Sequence, residues 1–406
     1  MKSVKGGITS PKKFLVGSTA AGIKKRKKDM TVLLSELPAT VAGVFTTNVV
    51  KAAPVVWDQQ IVAQHQPVSA IVVNSGNANA CTGKQGDADV RAMAEQVAQS
   101  LHLVPEEVLV CSTGVIGVPL PMQKVLEGIN TCTMHMGHTS KHASDSAEAI
   151  LTTDTFTKTL AVEIEIAGKS VKIGGMAKGS GMIHPNMATM LSFITTDAAI
   201  SQSYLQTLLG NTVVDSYNMI SVDGDTSTND TVLVLANGAA EAPELVPGTK
   251  EAQLFEEAFM YVHTELAKQI VLDGEGAGKF IEVEISGAPS KQDARLMARS
   301  VISSSLVKTA FFGSDANWGR MLCAMGYSGA DFDPSEVSIT YASERGMIAV
   351  MKDGVPLQFD EDLAKSILQE KIIYVSAQVG DGKGSSTAWG CDLSYEYVRI
   401  NGDYRS

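Results

Sequence analysis

The chain has 406 residues, of which 44% are hydrophobic and 36 are glycine, and its formal net charge is -11. This length predicts a core large enough for two domains, or for one large and one small domain. The negative net charge argues against a nucleic-acid-binding protein, because phosphate binding needs a concentrated cationic surface. The sequence shows neither the ~18 apolar residues of a membrane span nor a signal peptide, so we expect a cytoplasmic protein without a membrane partner.

Apolar periodicity predicts strands that alternate with helices, which is typical of an α/β protein. The predicted strands cover residues 29–34, 68–74, 108–111, 189–195, 230–236, 280–285, 336–341 and 371–379. The predicted helices cover residues 87–101, 203–220, 251–273, 293–306 and 361–370. A glycine-rich turn at residues 274–278 predicts a domain boundary near residue 280. We therefore expect a main α/β domain over residues 1–279 and a smaller α/β domain over residues 280–398.

Several features have a simple structural interpretation. The basic run at residues 24–28 is interpreted as a solvated charged turn, with a targeting or polyanion-binding patch as the alternative. The cysteines are scattered without CxxC spacing, so we predict small core residues in a reducing compartment at Cys81, Cys111, Cys132, Cys323 and Cys391. His135, His138 and His142 could share a helix face, but without a nearby Cys or Glu we interpret them as surface residues.

The segment DGEGAGK at residues 273–279 resembles a phosphate-binding P-loop, but it departs from that motif at two positions. Asp273 occupies the place of the first glycine, and Phe280 follows Lys279 where the motif has Ser or Thr. The hydroxyl group that would bind Mg²⁺ is therefore missing. The sequence predicts no nucleotide cofactor.

The segment KGSGMIHPNMATML at residues 178–191 is the most informative part of the chain. Its glycines and proline predict an irregular path, and Thr189 then opens an apolar strand. The Thr189 hydroxyl group could attack the carbonyl carbon of Ala188, and hydrolysis of the resulting ester would free the Thr189 α-amine. With an ordinary pKa of about 7.7 to 8.0, this amine can act as a base toward the adjacent hydroxyl group. The alternative is an ordinary loop that enters a core strand.

Motifs along essentially the whole chain resemble the ornithine acetyltransferase family, the bifunctional acetyltransferases of arginine biosynthesis. Besides residues 178–191, they are GIK at 22–24, VNSGNAN at 73–79, STGVIG at 112–117, TTDT at 152–155, DGDTSTND at 223–230, DGEG at 273–276, GSDANWGR at 313–320 and NG at 401–402. Several blocks in one order are more specific than any single block. The resemblance implies layered sheets covered by helices, similar in chemistry to N-terminal-nucleophile enzymes.

The same resemblance implies roles for individual residues. Thr189 would be the nucleophile, and Thr113 and Gly114 would form the oxyanion hole. Substrate would be bound by Thr189 and by Thr152, Lys178, Glu275, Asn401 and Ser406. Lys178 would hold a carboxylate and Glu275 an ammonium group, although surface solvation is the ordinary role of such residues. The tail at residues 399–406 would return to the active site.

The implied reaction is a double displacement. N²-acetylornithine acetylates Thr189, ornithine leaves, and glutamate takes the acetyl group to give N-acetylglutamate. The resemblance implies no metal and no cofactor, although acetyl-CoA could be a second donor. It also implies an α fragment, residues 1–188, a β fragment, residues 189–406, and an α2β2 heterotetramer. Two alternatives stay open: an amidase or aminopeptidase that passes the acyl group to water, and a binding protein that never cleaves itself.

Overall fold

A computed structural model describes residues 1–25, 27–184 and 190–403. The strands are β1 (Lys2–Ser3), β2 (Phe14–Thr19), β3 (Met30–Phe45), β4 (Val68–Asn77), β5 (Val108–Val115), β6 (Lys158–Ile166), β7 (Lys169–Lys178), β8 (Leu191–Thr196), β9 (Ile220–Ser221), β10 (Thr231–Ala236), β11 (Phe280–Ala288), β12 (Ser338–Ser343), β13 (Gly346–Lys352), β14 (Val355–Pro356), β15 (Ile372–Gln378) and β16 (Gly384–Cys391). The helices are α1 (Ala53–Ala63), α2 (Gly83–Leu101), α3 (Met122–Met134), α4 (Ser140–Ala149), α5 (Gln202–Val214), α6 (Lys250–Leu272), α7 (Lys291–Ser303), α8 (Ser305–Phe312), α9 (Trp318–Gly326), α10 (Glu361–Leu368) and α11 (Tyr395–Asp403).

The first sheet has the strand order β1-β6-β7-β8-β10-β3-β4-β5, and β2 also pairs with β3. Its central strands β8 and β10 are parallel and buried along their whole length. Both are continuous apolar or hydroxyl-bearing runs, as expected for strands that are covered on both faces. Alternate residues face different cores: Val232 packs in one hydrophobic cluster and Leu233 in another.

The second sheet has the order β14-β13-β12-β15-β11-β16-β9. Its strands begin at residue 280 or later in the chain except β9, which pairs with β16. The domain bounds at residues 279 and 398 stay a prediction.

Helices cover the sheets in layers. Helix α6 packs on β6 and β7 and also contacts β16, whereas α7 packs on β11 and β16, so a single apolar cluster continues from the first sheet into the second. Helices α1 and α4 contribute to a cluster on the opposite face of the first sheet. Helices α2 and α3 pack against β3, β4 and β5 in a third cluster. The predicted α/β class with layered sheets and covering helices is confirmed.

Two predicted helices end earlier than expected. The helix predicted over residues 203–220 ends at Val214, and the chain then forms a short 3₁₀ turn and β9, which adds an edge strand to the second sheet. The helix predicted over residues 293–306 is divided at Ser304. Ser304 has an extended backbone, and its side chain accepts a hydrogen bond from the Val307 N–H group, so it begins a new helix.

Two simpler expectations were wrong in part. Cys81 and Cys323 are exposed, whereas the other three cysteines are buried.

The basic run at residues 24–28 is not merely solvated. Lys24 donates a 2.7 Å hydrogen bond to the Leu151 carbonyl oxygen, and burial lowers the pKa of Lys24 to about 8. Lys28 forms ion pairs with Asp145 and Glu148 on helix α4. Part of the run therefore fastens this segment to the body of the protein.

Candidate active site

The predicted oxyanion residues lie where β4 and β5 end side by side. Ser75 is opposite Thr113 and Gly76 is opposite Gly114 in this parallel pair. Gly114 has a φ of +134°, and a Cβ atom there would lie 2.3 Å from the carbonyl carbon of Gly76. Only glycine fits this close approach, and it leaves the backbone at residue 114 unobstructed by a side chain. Gly114 and Thr113 both line a cavity in the protein.

Lys178 ends strand β7 and reaches Thr113. Its Nζ donates a 3.3 Å hydrogen bond to the Thr113 Oγ1, and the lysine is only 8% exposed. In the antiparallel pair of β7 with β8, Lys178 is opposite Leu191, which also lines the cavity. The ordinary role of a solvated surface lysine is therefore excluded for Lys178.

Glu275 is held in the cavity by its main chain. Its N–H donates a 2.9 Å hydrogen bond to the Ser180 carbonyl oxygen, and the residue is 9% exposed. A Cβ atom at Gly181 would lie 2.3 Å from the Glu275 Oε2, so this glycine leaves the space that the carboxylate occupies. A role in surface solvation is excluded for Glu275 as well.

Helix α11 brings Asn401 to Glu275. The Asn401 Nδ2 donates a 2.8 Å hydrogen bond to the Glu275 Oε2, although Asn401 itself is exposed. The start of this helix lies against Gly276, where a Cβ atom would lie 2.4 Å from the Tyr397 main-chain nitrogen. The close packing of α11 on residue 276 thus sets the distance between Asn401 and Glu275.

A buried ion network supports the wall that carries Lys178. Lys158 is fully buried and forms ion pairs with Asp154 at 2.7 Å and Asp273 at 2.5 Å. Burial raises the pKa of the Asp154 carboxyl group, but the charges of Lys178 and Lys158 outweigh burial and hold that pKa below its ordinary range. Asp154 also accepts the N–H of Thr152 at 2.9 Å, so the network fixes the backbone of a predicted substrate-binding residue.

Two residues that we did not assign from sequence complete the site. Asn229 donates hydrogen bonds to the carbonyl oxygens of Ala78 at 2.6 Å and Ser112 at 2.8 Å. Asp230 is 2% exposed and lines the cavity. Burial raises the pKa of the Asp230 carboxyl group well above its ordinary value. The available signal was their position at the end of the DGDTSTND block, immediately before a buried strand.

The backbone before the predicted cleavage site is held by Asp223. Its carboxylate accepts the N–H groups of Met182 at 2.6 Å and Ile183 at 2.8 Å. Met182 has a φ of +55°, which is unusual for a residue with a side chain. The two hydrogen bonds therefore stabilise a backbone conformation that the residue would not favour by itself.

The cavity has a volume of about 100 Å³, and residues from several of these elements line it. The predicted residues that line it are Thr113, Gly114, Thr152, Lys178, Glu275 and Asn401. Gly181 and Met182, before the predicted cleavage site, and Met190 and Leu191, after it, line the same cavity. The predicted residues Ala188, Thr189 and Ser406 lie outside the described residues.

In the segment that resembles a P-loop, two backbone N–H groups and the lysine ammonium group form hydrogen bonds within the protein. The Asp392 Oδ1 accepts the N–H groups of Gly278 at 2.8 Å and Lys279 at 2.9 Å. The Lys279 ammonium group donates to the Phe311 carbonyl oxygen and, at 2.8 Å, to the Ser314 hydroxyl group. These amides and this ammonium group are thus bound to protein groups.

Within the part of the chain that is described, no group of three or more His, Cys, Asp or Glu residues is arranged to hold a metal ion. Among the helices of that part, none is long and apolar enough to cross a membrane.

Comparison with known proteins finds the same family across the chain. Residues 15–406 match the ArgJ family. The arginine biosynthesis bifunctional protein ArgJ of Caldanaerobacter subterraneus is 52% identical over 406 residues, which is 100% of both chains. The protein of the same name from Thermotoga neapolitana is 52% identical over 397 residues, 98% of this chain and 99% of the relative.

A crystal structure of the arginine biosynthesis bifunctional protein ArgJ from Bacillus halodurans is also similar, with 46% sequence identity and a TM-score of 0.51. The match covers 53% of this chain and 100% of that chain. The solved chain is therefore about half as long as this one.

Proposed function

The chain belongs to the ArgJ family and is an acetyltransferase of arginine biosynthesis, and from this premise we propose that it cleaves itself before Thr189 and uses Thr189 as its nucleophile. In this proposal, acetyl passes from N²-acetylornithine to Thr189 and then to glutamate. The family resemblance inferred from sequence is confirmed by the match over residues 15–406.

One observation carries the proposal: residues from both sides of the Ala188–Thr189 bond line a single cavity. Thr113, Gly114 and Lys178 precede the bond, and Glu275 and Asn401 come after it. Met182 and Met190 bring the chain into the cavity from both sides of the bond. A nucleophile generated at residue 189 would therefore be released beside the groups that it needs.

The length of the solved Bacillus halodurans chain supports the proposed cleavage. Cleavage before Thr189 would give fragments of 188 residues and, as 406 minus 188, 218 residues. The longer fragment is 218/406, about 54% of the chain, and the solved chain matches 53% of this one. A chain of that length is what one fragment of a cleaved relative would be.

The surrounding groups determine the chemistry. The neutral α-amine of Thr189 takes the hydroxyl proton as the oxygen attacks the acetyl carbonyl carbon. The N–H of Gly114 and the hydroxyl group of Thr113 donate hydrogen bonds to the oxyanion. Loss of one such donor typically raises the barrier by about 2.7 to 4 kcal/mol. The amine then returns its proton to the departing α-nitrogen of ornithine, which leaves acetyl on Thr189.

The polar groups of the cavity suit amino-acid substrates. The Lys178 ammonium group binds the substrate carboxylate, and the Glu275 carboxylate, oriented by Asn401, binds the side-chain ammonium group of the ornithine donor. We propose no metal and no organic cofactor, with acetyl-CoA as a possible second donor. Thr152 and Ser406 would complete the substrate site. The active form would be a cytoplasmic α2β2 assembly of the two fragments.

A transfer assay with isotope-labelled acetyl tests this function. Purified protein is incubated with N²-acetylornithine labelled in its acetyl group, with and without glutamate, and the products are separated and counted. The proposal expects labelled N-acetylglutamate and free ornithine in equal amounts when glutamate is present. Ornithine and labelled acetate formed at the same rate with or without glutamate would instead indicate an amidase. No release of ornithine would indicate a binding protein.

A further inference from the structure

The two charged side chains of the cavity belong to separate segments that are hydrogen-bonded to each other. Lys178 ends strand β7, and Glu275 lies in the segment that follows helix α6. The Glu275 N–H donates a 2.9 Å hydrogen bond to the Ser180 carbonyl oxygen. The Ser180 hydroxyl group donates at 2.6 Å to the carbonyl oxygen of Asp273. The residues next to both charged groups are therefore in direct contact.

The ammonium group of Lys158 joins these two segments from below the cavity wall. Its Nζ atom donates to the Asp154 Oδ1 at 2.7 Å and to the Asp273 Oδ2 at 2.5 Å. A third hydrogen bond, of 3.3 Å, goes to the carbonyl oxygen of Phe156. A lysine ammonium group has three donors, so all of them are used within the protein. Because Lys158 is fully buried and does not line the cavity, it can affect a substrate only through other residues.

Asp154 connects Lys158 to the segment that carries Lys178. The Asp154 Oδ1 also accepts the N–H of Gly179, the residue after Lys178, at 2.7 Å. The Asp154 Oδ2 accepts the N–H of Thr152 at 2.9 Å, and Thr152 lines the cavity. The Asp154 carboxylate thus holds the backbone beside two of the residues that would bind substrate.

Asp273 connects Lys158 to the segment that carries Glu275. Both oxygens of the Asp273 carboxylate accept the Thr155 N–H, at 3.1 Å and 3.0 Å, and the Thr155 hydroxyl group donates to the same carboxylate. Asp273 is 4% exposed and lies two residues before Glu275 in the chain. Its position therefore constrains the place where the Glu275 carboxylate enters the cavity.

We propose that Lys158 is a positioning residue that sets the distance between the Lys178 ammonium group and the Glu275 carboxylate, and thereby selects the chain length of the acetyl donor. The inference rests on the proposed function and deepens it, because it takes Lys178 as the group that binds the donor carboxylate and Glu275 as the group that binds the side-chain ammonium. In N²-acetylornithine, three methylene groups separate the α-carbon from the side-chain nitrogen. N²-acetyl-2,4-diaminobutyrate has two such groups and N²-acetyl-lysine has four.

Burial makes this network suitable for fixing a distance. Hydrogen bonds between charged groups are strong where water is excluded, and breaking one partner out of a buried network is costly. The separation of the two binding groups is therefore set before a substrate arrives, and a donor of another length would meet one of them out of place. A misplacement of about 1 Å can lower a rate about a hundredfold.

A double variant tests the positioning role without a change in the charge balance. Lys158→Met alone would leave two buried carboxylates near the single ammonium group of Lys178, which would lower stability by itself. Combination with Asp273→Asn removes one carboxylate, so that Lys178 and Asp154 remain as one positive and one negative charge. The ion pairs that join the two segments are lost in this variant.

A milder variant and a control accompany the double variant. Thr155→Val removes only the hydroxyl group that donates to the Asp273 carboxylate. Lys28→Met is the matched control, because Lys28 also binds two carboxylates, those of Asp145 and Glu148, but does not line the cavity. Thermal unfolding shows which of these variants are folded.

The measurement is kcat/KM for acetyl transfer to glutamate from each of the three donors. In the unmutated protein, N²-acetylornithine should be preferred over each homologue by about 10-fold to 200-fold, the usual range for one methylene group. Both preferences should fall at least about fivefold in the double variant and about twofold in Thr155→Val, because the binding groups are held less firmly. Lys28→Met should leave both preferences unchanged.

Two results would overturn the proposal for Lys158. One is a folded double variant whose kcat/KM falls by a common factor for all three donors, since a residue that only supports the fold would have this effect. If the double variant does not fold, the same comparison in Thr155→Val decides. The other is an unmutated protein that uses the three donors equally. Failure of the unmutated protein to release ornithine from N²-acetylornithine would instead refute the proposed function itself, so the two failures can be distinguished.

Discussion

The side chain of Asn229 donates a 2.8 Å hydrogen bond to the carbonyl oxygen of Ser112, the residue immediately before Thr113 and Gly114. The same amide group donates to Ala78 at 2.6 Å. Asn229 comes after the predicted cleavage site in the chain, whereas Ser112 and Thr113 precede it. This contact therefore aligns the proposed oxyanion residues with the part of the chain that begins at Thr189.

Replacement of Asn229 by Ala should lower kcat for acetyl transfer by roughly tenfold to a hundredfold with little change in KM, because displacement of the oxyanion donors weakens transition-state binding. Steady-state kinetics with N²-acetylornithine and glutamate check this. The control is Asn130→Ala, since Asn130 accepts hydrogen bonds from Gln96 and Ser100 away from the cavity. A rise in KM alone in Asn229→Ala would contradict the positioning role.

The Lys178→Met variant should bind the carboxylate of its substrates poorly. Loss of a hydrogen bond to a charged group costs about 1.5 to 3 kcal/mol, so KM should rise by roughly tenfold to a hundredfold. Initial rates over a range of N²-acetylornithine concentrations measure the change. Lys172→Met is the matched control, because Lys172 lies on the same strand and does not line the cavity. Equal KM values in the two variants would show that Lys178 does not bind the substrate carboxylate.

The Asn401→Ala variant should raise KM for N²-acetylornithine several-fold while kcat stays similar, because Glu275 loses the 2.8 Å hydrogen bond that orients its carboxylate. The effect should be smaller for glutamate, which has no side-chain ammonium group. Separate titration of the two substrates measures the difference. Arg399→Ala is a control on the same helix, where Arg399 pairs with Glu396. Equal effects on both substrates would contradict the proposed pairing of Glu275 with an ammonium group.

His263 should make stability depend on pH. Its ring is fully buried against Tyr217 and Phe259, and neither ring nitrogen has a hydrogen-bond partner among the described residues. Burial lowers the pKa of His263 from 6.5 to about 3. Between these values the unfolded chain binds the proton and the folded protein does not. The free energy of unfolding should therefore decrease as pH falls through this window, by up to about 1.4 kcal/mol per pH unit from this residue.

The His263→Leu variant tests that slope. Its free energy of unfolding at pH 7 should be unchanged or higher, because a buried polar ring without partners is removed. Urea unfolding at several pH values between 3 and 6.5, the interval set by the folded and ordinary pKa of His263, gives the comparison. A slope that matches the unmutated protein would show that His263 does not contribute to acid destabilisation.

Local sequence accounts for much of the fold. Strands β4 and β10 each contain a continuous apolar run, residues 70–73 and 232–236, so both strands could be predicted without knowledge of their partners. The end of helix α5 at Val214 could not be predicted in this way. The chain after this helix forms β9, which pairs with β16, and this is a contact between residues far apart in the chain. The division of the predicted helix over residues 293–306 could not be predicted either, because its apolar spacing continues through Ser304, where the second helix begins.

Some residues of the candidate site could be predicted from local motifs, whereas others depend on contacts between distant parts of the chain. Motifs singled out Thr113, Lys178 and Glu275, and the structure places all three in one cavity. The DGDTSTND motif could have drawn attention to Asn229 and Asp230, but the contact of Asn229 with Ser112 joins residues far apart in the chain and could not be predicted from local sequence. The positions of Ala188, Thr189 and Ser406 lie outside the described residues, so their roles stay predictions.

Intact-protein mass spectrometry under denaturing conditions tests the central claim most directly. Freshly purified protein and a Thr189→Ala variant are each measured before and after N²-acetylornithine is added. We expect fragments of 188 and 218 residues from the unmutated chain, with one acetyl group gained by the 218-residue fragment alone, and an intact, unacetylated variant. An unmutated chain that stays whole and gains no acetyl group would contradict self-cleavage and the threonine nucleophile together.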